Sequence, residues 1–205
     1  MKFAKFFFLI LCIMPLSAFA DDECLHYKVS PKVNVSVPAW DKSVVQPLKP
    51  MDLLHGNLVA TLSEEYALAA ESEPMEDGYC IVLTGVDASV GYTDFLVHID
   101  SRHLPDTCEY NLTLEHEDQH IRAYLSVMDD AAKDVRRSIA AAANSIMPIF
   151  VPYDGDVNAA LDGMERELQN HPDIILMKQK INAEQEIRNK KVDERDDGKR
   201  INECK

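Results

Sequence analysis

Between Cys108 and Met147 apolar residues recur at three- and four-residue steps, and this run constrains the fold more than any other part of the chain. Leu114, Ile121, Leu125, Met128, Ala132, Val135, Ile139, Ala142 and Ile146 share one stripe when plotted at about 100° per residue. The spacing predicts a long amphipathic helix whose stripe has to be buried against other elements. Thr107 or Asp106 is placed to cap its start, and Pro148 and Pro152 end it.

This helix carries His116-Glu117-Asp118-Gln119-His120. Two histidines four apart project from one helical face, about one turn from each other, so both imidazoles can reach one zinc ion. A glutamate directly after the first histidine sits where it can take a proton from metal-bound water. On the wheel Glu117 lies at the edge of the buried stripe and the two histidines lie further round its flank. A bland alternative is an exposed polar turn, but an inward-facing carboxylate is costly unless something uses it.

A zinc hydrolase needs a third protein ligand and leaves the fourth position to water. The residues after His120 are Ile121-Arg122-Ala123-Tyr124, so the extended H-x-x-G-x-x-H pattern is absent. Asp134 shares the helical face but lies about 27 Å along the axis, at 1.5 Å per residue. The candidates are therefore on other elements: Glu165 or Glu167 on the next helix, or His171 or His103. The charged stretch from Glu184 to Arg200 reads as a solvated helix.

The rest of the chain predicts a modest sheet and more helix. Val33, Val35 and Val37 alternate with polar residues, which gives a strand from about Pro31 to Pro38. Met51 to His55 reads as a short helical turn and Leu58 to Leu62 as a second strand. Tyr79 to Val86 and Val90 to Ile99 read as a β-hairpin, with Asp87-Ala88-Ser89 as its connection and Gly91 as a bulge. The acidic stretch from Ser63 to Asp77 gives no clear signal. Val157 to Gln169 reads as a helix capped by Asp154 or Asp156, and a second helical stretch runs from Asp173 to Glu203. The expected fold class is α+β: a small antiparallel sheet packed on the long motif-bearing helix, with C-terminal helices. As domains, residues 1–20 read as a signal peptide and 21–205 as one domain, of which 154–203 form a helical extension.

The signal-peptide reading rests on Lys2 and Lys5, an apolar run from Phe6 to Leu16, and Ala18-Phe19-Ala20 as a cleavage site. It places the chain in the periplasm or outside the cell. No later segment is apolar for long enough to span a bilayer. A net charge of −14 opposes binding to nucleic acid or anionic lipid. Cys24, Cys80, Cys108 and Cys204 remain after cleavage, an even set in an oxidising compartment, so two disulfides are expected rather than a four-thiolate zinc site. Three pairings are possible. The favoured one joins Cys80 to Cys108, tying a strand to the start of the helix, and Cys24 to Cys204, joining the two ends.

The region from Cys80 to Arg122 resembles a bacterial family described as predicted secreted zinc-dependent proteases. Three pieces carry the likeness: Tyr79-Cys80-Ile81-Val82-Leu83, Pro105-Asp106-Thr107-Cys108-Glu109-Tyr110, and Leu114 through Arg122 with the histidine motif. A late cysteine such as Cys204 fits as well. The resemblance implies a metallopeptidase with His116 and His120 on Zn2+, Glu117 as catalyst, and a peptide or protein substrate. It implies neither the third ligand nor the substrate. Two other readings use the same residues: an exported binding or envelope protein with a structural or vestigial metal site, and an amidase acting on cell-wall peptides.

Overall fold

The computed structural model describes residues 23–47, 49–51, 55–196 and 204. The signal-peptide reading, and most of the turn expected at Met51–His55, lie outside them. Among the described residues a 3-10 turn (Leu25–Tyr27) is followed by five strands and three α-helices: β1 (Lys32–Ser36), β2 (Asp41–Val45), β3 (Gly56–Met75), β4 (Gly78–Ile99), α1 (Cys108–Ser145), β5 (Ile149–Pro152), α2 (Val157–Gln169) and α3 (Pro172–Asp196).

The sheet is organised around β4. Its 22 residues pair antiparallel with β3 along their whole length, from Met75↔Gly78 to Gly56↔Ile99. The opposite edge of β4 is shared end to end by three short strands. β5 pairs antiparallel with Gly78 to Ile81, β1 parallel with Gly85 to Ser89, and β2 parallel with Asp94 to His98. This overturns the expectation of a small antiparallel sheet: the sheet has five strands, is mixed, and contains two parallel pairings. The helix that carries the histidines follows the long hairpin in the chain.

The hairpin expected within Tyr79–Ile99 is also overturned, because β4 runs straight through Asp87-Ala88-Ser89. That tripeptide lacks the glycine or asparagine a tight turn requires, and Ala88 is buried in the core. Asp87 is exposed and accepts a 2.7 Å hydrogen bond from Asn34 on β1. The partner strand is instead built from the acidic stretch that gave no signal. Its burial alternates along much of β3, with Tyr66, Leu68 and Ala70 packed toward the core and Glu65, Ala67, Ala69 and Glu71 outward. The register slips opposite Thr84 and Thr93, which pair with no β3 residue. Such bulges add twist, and a hairpin this long needs it to curve over the helices. Gly91 is not the bulge; a Cβ there would stand 2.8 Å from Pro38 Cδ.

One buried cluster joins the sheet to the helices. Ile81, Leu83, Val86, Val90, Phe95, Val97 and Ile99 of β4 meet Ile121, Met128, Val135 and Ile139 of α1, with Met164 and Leu168 of α2 and Ile174, Met177 and Ile181 of α3. Thr107 caps α1 by accepting from the Tyr110 N–H, and Asp156 caps α2 by accepting from Asn158 and Ala159. α3 runs back along α1. Near the middle of this pair Arg188 donates to Ser126, Asp130 and Glu184 at 2.8, 2.7 and 2.9 Å.

Two disulfides form, but not in the favoured pairing. Cys24 bonds Cys80, and Cys108 bonds Cys204. Cys80 sits on β4 beside the chain's first described turn, while Cys108 begins α1 and receives the chain that leaves α3. Both pairings bring a terminal segment onto the sheet–helix core, and spacing alone does not separate them.

The connection from β4 to α1 is held by Asp100, which is fully buried. Its carboxylate accepts from the Met51 N–H (2.7 Å), the Arg102 N–H (2.8 Å) and the Arg102 guanidinium (2.9 and 2.7 Å). The Arg102 hydrogen bonds hold this carboxyl well below the usual carboxylate range. The loop that delivers the chain to the motif is therefore fixed at its base.

Candidate metal centre

His116 and His120 lie on the same face of α1, with their Nε2 atoms 3.1 Å apart. Asp193, in the last turn of α3, brings its Oδ1 to 3.1 Å from His120 Nε2 and 3.5 Å from His116 Nε2. One ligand atom from each of the three residues lies within 4.8 Å of the other two, so the group could hold a metal ion. Tetrahedral donors at about 2.0–2.1 Å from a zinc ion stand roughly 3.3–3.4 Å from one another, and the observed separations bracket that value.

The tautomer of His120 supports this reading. Its Nδ1 lies 2.9 Å from Asn189 Oδ1. An amide oxygen only accepts, so Nδ1 donates to Asn189 and Nε2 is the nitrogen turned to the metal position. Nε2 faces a second imidazole nitrogen and a carboxylate oxygen. A proton can satisfy one such pair; a cation satisfies all three donors at once.

Glu117 follows His116 on the sheet side of α1 and is only 4 % exposed. Burial is the main reason its carboxyl is pushed up to about 7, with the negative charges of Asp193 and Asp118 adding to the shift. Asp118 pairs with Lys42 of β2 at 2.9 Å. The first residue of β3 packs directly on the glutamate: a Cβ on Gly56 would stand 2.7 Å from Glu117 Oε1 and 2.6 Å from Thr113 Cγ2. Glycine at this position lets the strand backbone pass over the carboxylate.

The four residues considered as third ligand lie elsewhere. Glu165 accepts from Gln169 within α2, and Glu167 is exposed on the same helix. His171 faces Asp173 at the start of α3, and His103 stacks on His55 with ring centroids 5.1 Å apart. Asp193 and Asn189 instead come from the stretch that reads as a solvated helix. A signal for them was present in the sequence. The buried stripe of α3 begins as Ile174, Met177 and Ile181 and continues through Gln185 to Val192, with half-buried Asn189 between them. Polar residues replace apolar ones on a stripe that stays against α1, and Gln185 is held there by a hydrogen bond to the Tyr92 hydroxyl.

Comparison with protein-family models, with characterised proteins and with solved structures finds no match to this chain. The resemblance carried by Cys80 to Arg122 gains no support from that side. Among the described residues no helix is long and apolar enough to cross a membrane.

Proposed function

We propose that this chain is an exported zinc-dependent hydrolase that cleaves peptide bonds. The observation that carries the reading is the convergence of His116, His120 and Asp193 beside the buried carboxyl of Glu117. Two neutral imidazoles and one carboxylate form a donor set that suits zinc and leaves a fourth position for water. A zinc ion bound there would acidify that water and polarise the scissile carbonyl.

The remaining work falls to side chains. Asn189 fixes the ring of His120 so that Nε2 faces the metal position. Glu117, as carboxylate, accepts the water's proton and then hands it to the leaving amine. Its elevated proton affinity suits that exchange, because a base must take a proton and also release it near neutral pH. Lys42 pairs with Asp118, the residue next to Glu117. Two disulfides are the chemistry of an oxidising compartment, which fits export.

The test is metal and activity together. The purified protein should bind one zinc per chain and cleave an unfolded polypeptide such as carboxymethylated casein. Glu117→Gln should keep the zinc and lose activity by roughly 10²–10⁴-fold. Full activity in that variant would refute the role of Glu117. Absence of any zinc binding would refute the site.

A further inference from the structure

The seam between α1 and α3 opens into two cavities that none of the metal-centre residues lines. They meet at Arg188, which lines both. The first is about 610 Å³. Buried Val127, Met177 and Ile181 form its floor, and Leu176 and Ile187 stand at its edge. These two are 48 % and 49 % exposed, so the trough is open to solvent and its apolar rim is uncovered. Much of the charge along it is already met, with Arg137 on Asp134 and Arg188 on Asp130 and Glu184.

The second cavity, about 700 Å³, carries Arg122, Lys191 and Arg195. Among the described residues none of the three pairs with a carboxylate; Arg195 Nε donates to the Lys191 carbonyl at 3.1 Å. The acidic residues on the same wall are engaged, Glu194 with Lys190 and Glu115 with a partner of its own. The chain has 35 acidic and 21 basic side chains. Three cations left without a carboxylate in so acidic a chain repel one another, and they give this end of the groove a positive field. From Arg122 to Ala141 the two cavities extend about 28 Å at 1.5 Å per residue, or about five helical turns. A small ligand needs a site that encloses most of its surface. An open trough along two packed helices instead receives the ridge of a third helix.

We infer that this groove docks an amphipathic helix of a partner protein, apolar on the face that meets Leu176 and Ile187 and acidic at the end that reaches Arg122, Lys191 and Arg195. The apolar half removes exposed hydrocarbon from water. The cationic half fixes direction, because the reverse orientation carries the acidic end toward Asp173 at the far end of the trough. The inference is independent of the metal centre.

The experiment measures fluorescence anisotropy of a labelled synthetic helix of about 18 residues, long enough to fill the groove. It carries a leucine stripe at three- and four-residue steps and three glutamates in its first turn, where they also favour the helix itself. A second peptide has lysines in place of the glutamates. The oxidised wild-type protein should bind the glutamate peptide saturably and at least about 10-fold more tightly than the lysine peptide at low salt. Leu176→Asn/Ile187→Asn should weaken both peptides by at least about 10-fold. Arg122→Gln/Lys191→Gln/Arg195→Gln should weaken only the glutamate peptide and erase the preference. All five residues are exposed, so far-ultraviolet circular dichroism should be unchanged. No saturable binding overturns the inference, as does equal binding of the two peptides. Binding that survives Leu176→Asn/Ile187→Asn places the peptide elsewhere and also overturns it. A wild-type dimer in sedimentation that this pair of changes dissolves would make a second copy the occupant. Cosedimentation with phosphatidylglycerol vesicles, without peptide binding, would make it a lipid surface. Either result overturns the partner helix.

Discussion

Asn189 Oδ1 lies 2.9 Å from Nδ1 of His120, across the interface between the two longest helices. The contact converts a statement about helix packing into one about chemistry, because it decides which nitrogen of His120 is free. Asn189→Leu keeps the size of the side chain and removes the acceptor. It should weaken zinc binding by roughly 10–100-fold with little change in secondary structure, as read by chelator competition and circular dichroism. Unchanged affinity would mean that the ring orientation is set by something else.

Glu117 makes stability depend on pH in a particular direction. Its carboxyl titrates near 4.5 in the unfolded chain and at about 7 in the fold. Folding therefore favours the protonated form. The stabilisation is fully present below the unfolded value and is lost as pH rises through about 7. In the metal-free protein Glu117→Gln should thus be more stable than wild type at pH 8 and nearly equal at pH 4.5. The difference should be on the order of 3–4 kcal/mol, taking about 1.4 kcal/mol per pH unit over the shift from 4.5 to about 7. Urea midpoints of both proteins across this range, in the presence of a chelator, provide the check. A difference that does not vary with pH would show that the buried carboxyl is not the titrating group. Bound zinc should shrink the effect, since its positive charge favours the carboxylate.

Gly56 sits where β3 crosses Glu117. A methyl group there would fall 2.6 Å from Thr113 Cγ2 and 2.7 Å from Glu117 Oε1, both closer than atoms pack. Gly56→Ala should cost about 1–3 kcal/mol, as overpacking does, and should lower peptide cleavage more than it lowers zinc affinity. Equal loss of both would place the disturbance at the histidines and not at Glu117.

The helical half of the site was legible in the sequence because its signals are local. Apolar spacing, the Thr107 cap and the four-residue step between His116 and His120 are all set within a few turns. Asp193 was harder to read, because its position depends on α3 packing back along α1, and the local sign of that is only the stripe Ile174, Met177, Ile181, Gln185 and Val192. Its neighbours Glu194 and Arg195 are exposed and disguise it as surface. The sheet failed for a related reason. β3 carries Glu64, Glu65, Glu71 and Glu73, which read as loop until β4 is paired beside it. Asp87-Ala88-Ser89 resembles a break until β1 and β3 close on both sides of it. The disulfide pairing depends on the same long-range packing.

The most direct test of the metal centre is an anomalous difference map from crystals of the zinc-loaded protein, collected on both sides of the zinc edge. One strong peak is expected, bounded by His116 Nε2, His120 Nε2 and a carboxylate oxygen of Asp193, with the Glu117 carboxyl facing the remaining position. A peak ligated by other residues, or no peak at this group, would contradict it.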